Sequence, residues 1–241
     1  MRQSNIIAMG GGGFSMEPDN PLLDQYVLQT ANKSDPVVCF LPTASGDADN
    51  YIARFYAAFS KLPCQPRHLS LFSPPPDLAA FVADCDVIYV GGGNTRNMLA
   101  IWRACGMDTI LRQAWQNGIV LCGVSAGAIC WFEHGHTDSN GPQAPLAPLA
   151  CLGFLRGSCT PHYDGEPARR PSFHAFVQQG ILPAGYALDD GAALHFIGDE
   201  VAHVVTSRPQ ARAFYVRCES GNIVEEPLQA RFLETVHEVG N

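Results

Sequence analysis

The sequence predicts an α/β fold: a doubly wound, mainly parallel sheet with helices on both faces and an added C-terminal β-hairpin region. Two observations lead there. Through the first 130 residues, short apolar runs alternate with segments of helical period, the βαβα rhythm of a parallel sheet covered on both sides. Beyond residue 134 the texture changes to Gly-, Pro- and Asn-rich stretches with short strand-like runs. Asn5–Met9, Val37–Pro42, Arg67–Phe72, Val87–Val90 and Ile119–Gly123 read as buried strands. Leu22–Asn32, Ala48–Leu62, Pro76–Asp84 and Thr95–Asn117 read as the helices between them, the last broken near Gly106. Residues 134–150 read as a long loop, and Ser172 to about Gly180 as a helix. Ala184–Thr206 reads as hairpin-forming strands punctuated by Asp189-Asp190-Gly191 and Gly198-Asp199; Ala213–Arg217 is a further strand before a tail. No repeat or linker divides the chain, so residues 1–241 are expected to form one domain.

Composition narrows the function classes. A chain of 241 residues, 46% hydrophobic and 16% charged, can bury a sizeable core. The net charge of −8, with no basic stretch, argues against nucleic acid, whose phosphates need clustered Lys and Arg. No apolar run approaches the roughly 20 residues of a membrane span, and the first residues lack the long apolar core of a signal peptide. Nine cysteines without a C-x-x-C pair suggest buried free thiols in a reducing cytoplasm. His134 and His136 stand two apart, but no H-E-x-x-H occurs, so neither a metal nor a cofactor is expected. Whether the chain is a monomer or a homodimer is open.

The chemistry centres on Gly123-Val124-Ser125-Ala126-Gly127, which joins an apolar run to Ala128-Ile129-Cys130. Small residues around one serine at a strand-to-helix junction are what a nucleophile elbow needs, because a large neighbour would collide with the strand or the substrate. A second glycine turn, Gly91-Gly92-Gly93-Asn94-Thr95, follows Val87–Val90 and opens a helix. A glycine amide there, with the amide of Ala126, could form an oxyanion hole if the two strands are neighbours. Gly10-Gly11-Gly12-Gly13 ends the first strand without G-x-G-x-x-G or Gly-Lys-Ser/Thr, and is expected to be a tight turn near the site's rim.

A serine needs a base, and the base an orienting partner. His162, in Pro161-His162-Tyr163-Asp164, follows a strand-like segment, and Leu188-Asp189-Asp190-Gly191 puts two carboxylates at a strand end. An α/β-hydrolase order would demand Ser125, then Asp164 or Asp190, then His195 or His203, but these histidines lie within strand-like segments. The order Ser125, His162, Asp190 fits the loop placements better.

Val90-Gly91-Gly92-Gly93-Asn94-Thr95, Gly123-Val124-Ser125-Ala126-Gly127-Ala128, Pro161-His162-Tyr163 and Leu188-Asp189-Asp190-Gly191, in that order, resemble the S51 serine peptidases. That family includes peptidase E (aspartyl dipeptidase) and cyanophycinase, on a fold similar to class I glutamine amidotransferases. The resemblance implies Ser125 as nucleophile, His162 as base and then acid, and amides of Gly91, Gly92 or Gly93 with Ala126 as oxyanion hole. Asp190 is the expected third member, with Asp138 the other candidate. It also implies hydrolysis of short peptides, foremost dipeptides with N-terminal aspartate. Gly165-Glu166-Pro167-Ala168-Arg169-Arg170 resembles the segment carrying the family's substrate arginine, which nominates Arg169 and Arg170, with Asn94 and Glu166 as further substrate contacts. A cyanophycinase-like or other dipeptide specificity stays open within the family. Outside it stands a non-catalytic binding protein on the same fold.

Overall fold

The computed structural model describes residues 3–75, 77–141 and 143–234. Along the first half of the chain come β1 (Asn5–Met9), α1 (Gly13–Met16), α2 (Leu22–Thr30), β2 (Val37–Leu41), α3 (Asp49–Phe59) and β3 (Gln65–His68). These are followed by α4 (Leu78–Ala83), β4 (Val87–Val90), α5 (Thr95–Cys105), α6 (Met107–Gln116) and β5 (Val120–Val124). The second half holds α7 (Ala126–Ile129), β6 (Phe132–Thr137), β7 (Ala147–Ala150), β8 (Leu155–Thr160), α8 (Arg169–Gln178) and β9 (Gly185–Leu188). It ends with β10 (Ala192–Ile197), β11 (Glu200–Thr206), β12 (Ala213–Glu219), β13 (Asn222–Pro227) and β14 (Arg231–Phe232).

The main sheet has the order β14-β11-β10-β1-β5-β4-β2-β3. Strands β1 to β5 are mutually parallel, and β10 joins β1 antiparallel. Parallel strands are covered on both faces, so they read as continuous apolar runs, and alternate residues feed two cores. Ile6, Ala8, Leu41, Ile88 and Leu121 pack with Met98 and Trp102 of α5 and Leu111 of α6. Ile7, Met9, Phe40, Tyr89 and Cys122 pack with Leu23 and Val27 of α2 and with Phe55 and Phe59 of α3. The result is an α/β fold with a mostly parallel sheet and helices on both faces. Gly106, at φ +72°, separates α5 from α6. Asp77 caps α4 by accepting from the Ala80 amide, and Pro76, the expected start of that helix, lies outside the described residues.

Three expectations are corrected. Residues 134–150 are not a long loop: β6 and β7 pair there, within a second sheet of order β13-β12-β9-β8-β6-β7. Within 134–150 the strand signal is weak because β6 buries His136 and Thr137 instead of an apolar run. Second, Asp189-Asp190-Gly191 does not turn a hairpin, since β9 belongs to the second sheet and β10 to the main one. The turn therefore crosses between sheets, and only β10 and β11 pair as a hairpin within that segment. Third, β3 spans Gln65–His68, not Arg67–Phe72. Asp47 pulls the chain away by accepting from the Leu71 and Phe72 amides.

Below the first glycine turn lies a buried carboxyl. Asp24 accepts from the Phe14 amide at 2.7 Å and from the Tyr89 hydroxyl at 3.1 Å. Burial pushes its pKa up to about 7, against the partial relief of those two bonds. An unfolded Asp ionises near 4, so the folded state increasingly disfavours ionised Asp24 as pH rises from about 4 to about 7. Asparagine carries no charge and can hold both partners, its Oδ1 accepting from the Phe14 amide and its Nδ2 donating to the Tyr89 oxygen. Asp24→Asn is therefore expected to gain about 3–4 kcal/mol over the wild type between pH 4 and pH 8. Urea unfolding across that range checks it; a stability difference that does not change with pH refutes it.

Candidate active site

The elbow follows from packing at the end of β5. A Cβ on Gly123 would overlap the Gly127 carbonyl, and one on Gly127 would overlap the Val90 carbonyl. Only glycines let α7 turn back this tightly against β5 and β4. Ser125, between them, takes φ 57° and ψ −111°, a left-handed conformation that costs a non-glycine residue about 1–3 kcal/mol. Its amide is fastened to the Met9 carbonyl at 3.0 Å, which places it at the carboxyl ends of β1 and β5.

His162 comes from the loop after β8 and also has positive φ, 52°. Its Nε2 stands 2.8 Å from Ser125 Oγ, and its Nδ1 2.6 Å from Asp190 Oδ1. With Nδ1–H donating to the carboxylate, Nε2 is left to accept from the serine hydroxyl. The sheet-crossing turn delivers Asp190 there. Gly191 N donates to Gly11 O at 3.0 Å, and Gly10 N to Ala192 O at 2.9 Å, so the first glycine turn clasps the acid turn. A Cβ on Gly11 would overlap Asp190 Oδ1. Burial pushes the Asp190 pKa up, but the bond from His162 and the charges of His162, Arg208 and Arg169 outweigh it and hold the carboxyl below its ordinary value. Asp138 lies elsewhere: its side chain is 62% exposed, 4.0 Å from Arg169 Nη2.

The second glycine turn lies beside the elbow. A Cβ on Gly92 would stand 3.5 Å from Ser125 Cβ and 3.9 Å from Oγ. Most of the turn's amides are engaged: Gly91 N donates to Leu41 O, Gly92 N to the Tyr51 hydroxyl, Asn94 N to Ala44 O and Thr95 N to Ser139 Oγ. The Gly93 amide, at φ +135°, and the Ala126 amide have no acceptor among the described residues. The Asn94 side chain is likewise engaged, since Oδ1 caps α5 at the Asn97 amide and Nδ2 donates to Ser139 O.

The two nominated arginines part company. Arg169 is buried, with Nε on Glu166 Oε2 at 2.7 Å and Nη1 on the His136 carbonyl at 2.8 Å. Arg170 turns instead to Glu225 at 2.8 Å and lies over the rings of Tyr163 and Phe214. His136 is a buried strand residue bonded to Thr160 and Ser172; burial and then the Arg169 charge lower its pKa to about 3. Among the described residues no three His, Cys, Asp or Glu side chains converge as a metal site, and no helix is long and apolar enough to cross a membrane.

Sequence reasoning missed three residues at this site, Tyr51, Ser15 and Arg208, and weighed a fourth, Asp164, only as an α/β-hydrolase acid. Tyr51 and Ser15 reach the second glycine turn through hydroxyls 2.7 Å apart. Asp164 accepts from the Asp190 amide at 2.8 Å. Arg208 pairs with Glu17 at 2.8 Å, and its side chain lies over Gly191. Asp164 carried a signal, two residues after His162 in a polar loop. The others are brought in by contacts too distant in sequence to be read.

The Peptidase family S51 model matches residues 6–204. The chain is 59% identical over 229 residues to "Uncharacterized peptidase YgaJ" of Bacillus subtilis (strain 168), covering 95% of this chain and 98% of the relative. It is 26% identical over 185 residues to a peptidase E of Streptomyces coelicolor, covering 73% and 74%. In fold it is similar to the crystal structure of a peptidase from an acI-B1 Actinobacterium, with TM-score 0.68, 18% identity and 95% of both chains covered. A putative peptidase E of Listeria monocytogenes aligns with TM-score 0.61 and 19% identity, over 94% of this chain and 100% of that one. The chain belongs to peptidase family S51.

Proposed function

We propose that this protein is a serine-type dipeptidase, one catalytic domain on a class I glutamine amidotransferase-like scaffold, that cleaves short peptides with N-terminal aspartate in the cytoplasm. The observation that carries the reading is the continuous chain Ser125 Oγ, His162, Asp190, with separations of 2.8 and 2.6 Å. His162 Nε2 takes the serine proton as Oγ attacks the peptide carbonyl. The oxyanion develops beside Gly92, where the amides of Gly93 and Ala126 receive it. His162 then gives its proton to the leaving amine. Water, deprotonated by the same nitrogen, cleaves the aspartyl ester and restores Ser125.

The aspartyl side chain needs a cation, and Arg169 suits it better than Arg170. It lies close enough to help hold the Asp190 carboxyl low, and its Nη2 edge faces an exposed residue, Asp138, at 4.0 Å. Glu166 steadies Arg169 and is 44% exposed, which supports assigning it the substrate ammonium. The existing bonds of Arg169 favour a second reading, an S51 peptidase with another first-residue preference. Kinetics on X-Leu dipeptides separate the two. Asp-Leu is expected to exceed Asn-Leu and Ala-Leu in kcat/KM by about two orders of magnitude, the value of a buried charge-assisted pair. Equal rates refute the aspartyl preference, and no hydrolysis of any member refutes the peptidase.

A further inference from the structure

The second glycine turn is held from outside by a side chain with no role in the proton relay. Tyr51, on the first turn of α3, is 5% exposed and packed between Phe14 and Phe40, with the Arg54 guanidinium 4.9 Å from its ring centre. Its hydroxyl accepts from Gly92 N at 3.1 Å and shares a 2.7 Å hydrogen bond with Ser15 Oγ, on α1. The turn is shaped around this ring. A Cβ on Gly91 would stand 2.9 Å from Tyr51 Cε1 and 3.0 Å from Phe40. On the far side, Gly93 passes so close to the Ala44 carbonyl that no side chain fits. The peptide planes from Gly91 to Asn94 are thus fixed by Leu41, Tyr51 and Ala44 in succession.

We infer that Tyr51 is a positioning residue for the oxyanion hole: by holding the Gly92 amide, its Ser15-clamped hydroxyl leaves the Gly93 amide as the turn's open donor beside Ser125. This rests on the serine peptidase reading above. Burial raises the Tyr51 pKa, so the phenol keeps its proton and stays a hydrogen-bonding group rather than a charge. An amide aimed at developing charge stabilises the tetrahedral intermediate more than the bound substrate, so losing its alignment lowers kcat and spares KM.

Tyr51→Phe keeps the ring packing and removes only the hydroxyl. It is expected to lower kcat for the preferred dipeptide by about tenfold to a hundredfold, with KM changed by less than about threefold. The α-aldehyde of the preferred first residue, with CHO in place of the scissile carbonyl, takes the serine Oγ at its carbonyl carbon to form a tetrahedral hemiacetal, and its inhibition constant is expected to rise by the same factor as kcat falls. Calorimetric binding of the dipeptide to Ser125→Ala should not change when Tyr51→Phe is added. A merely structural role would weaken adduct and ground-state binding alike, and that result overturns the inference. So does a kcat loss below tenfold, or a gain, which would make Gly92 the donor and Tyr51 its competitor. If Tyr51→Phe does not fold, Ser15→Ala decides: a several-fold fall in kcat at constant KM supports the clamp, and an unchanged kcat refutes it. A wild type inert to both dipeptide and aldehyde removes the peptidase reading and this inference together. A reactive wild type matched by Tyr51→Phe removes this inference alone.

Discussion

Ser125→Ala is expected to lower kcat/KM for the preferred dipeptide by five to six orders of magnitude, on the order of what other serine proteases lose with their nucleophile. Without Oγ there is no acyl-enzyme, and only the oxyanion donors and substrate binding remain. His162→Ala is expected to cost about as much, because an unactivated hydroxyl is a poor nucleophile. The double variant is expected to be no worse than either single one, since the two groups act in one step and their losses do not add. The fold is expected to survive. Among the described residues the Ser125 side chain has a single partner, His162, and alanine meets the same backbone strain at φ 57° that serine does. Thermal unfolding within a few degrees of the wild type, together with the lost turnover, checks both halves. Ser125→Ala retaining a hundredth of the wild-type rate would exclude a serine nucleophile.

What the sequence reveals depends on whether one segment carries the cause. Four of the five parallel strands, β1, β2, β4 and β5, are legible because each is buried on both faces and written as an apolar run, whereas the edge strand β3, Gln65–His68, is partly exposed and polar and carries no such run. The elbow is legible because its glycines are demanded by local backbone contacts at Gly123 and Gly127. In the second sheet β6 is not, because it buries His136 and Thr137 in place of an apolar run. Polar side chains are stable there only once partners arrive, such as Thr160 and Ser172 on His136, or Pro183 O for Ser158. Asp189-Asp190-Gly191 reads as a hairpin turn but crosses between the sheets, because both kinds of turn share the same Asp-Gly chemistry. Arg169 and Arg170 are adjacent in sequence and equal in chemistry. Only the fold distinguishes the buried one, on Glu166 and His136, from the one on Glu225. Tyr51 joins a turn 41 residues away, and nothing local announces that.

Asp190→Asn is the sharpest test of which carboxylate completes the site. The carboxylate accepts the Nδ1 proton of His162 and so fixes the tautomer whose Nε2 can take the serine proton. An asparagine there can turn its NH2 toward Nδ1. The ring proton then moves to Nε2, and the serine faces a donor instead of a base. The expected loss is about three to four orders of magnitude in kcat, with KM within a few-fold. Asp138→Asn is expected to change kcat by less than about threefold, because that side chain is 62% exposed and lies 4.0 Å from the edge of Arg169. The two substitutions are chemically identical and both in loops, so a general effect of losing one negative charge would move them together. Asp190, held low by its bond from His162 against the cost of burial, is ionised throughout the neutral range. Its replacement therefore removes a charge as well as a bond, which is why the larger loss is assigned to it. Measured side by side, a large loss at Asp138 with a small one at Asp190 would reverse the assignment, and equal small losses would leave His162 working without a carboxylate.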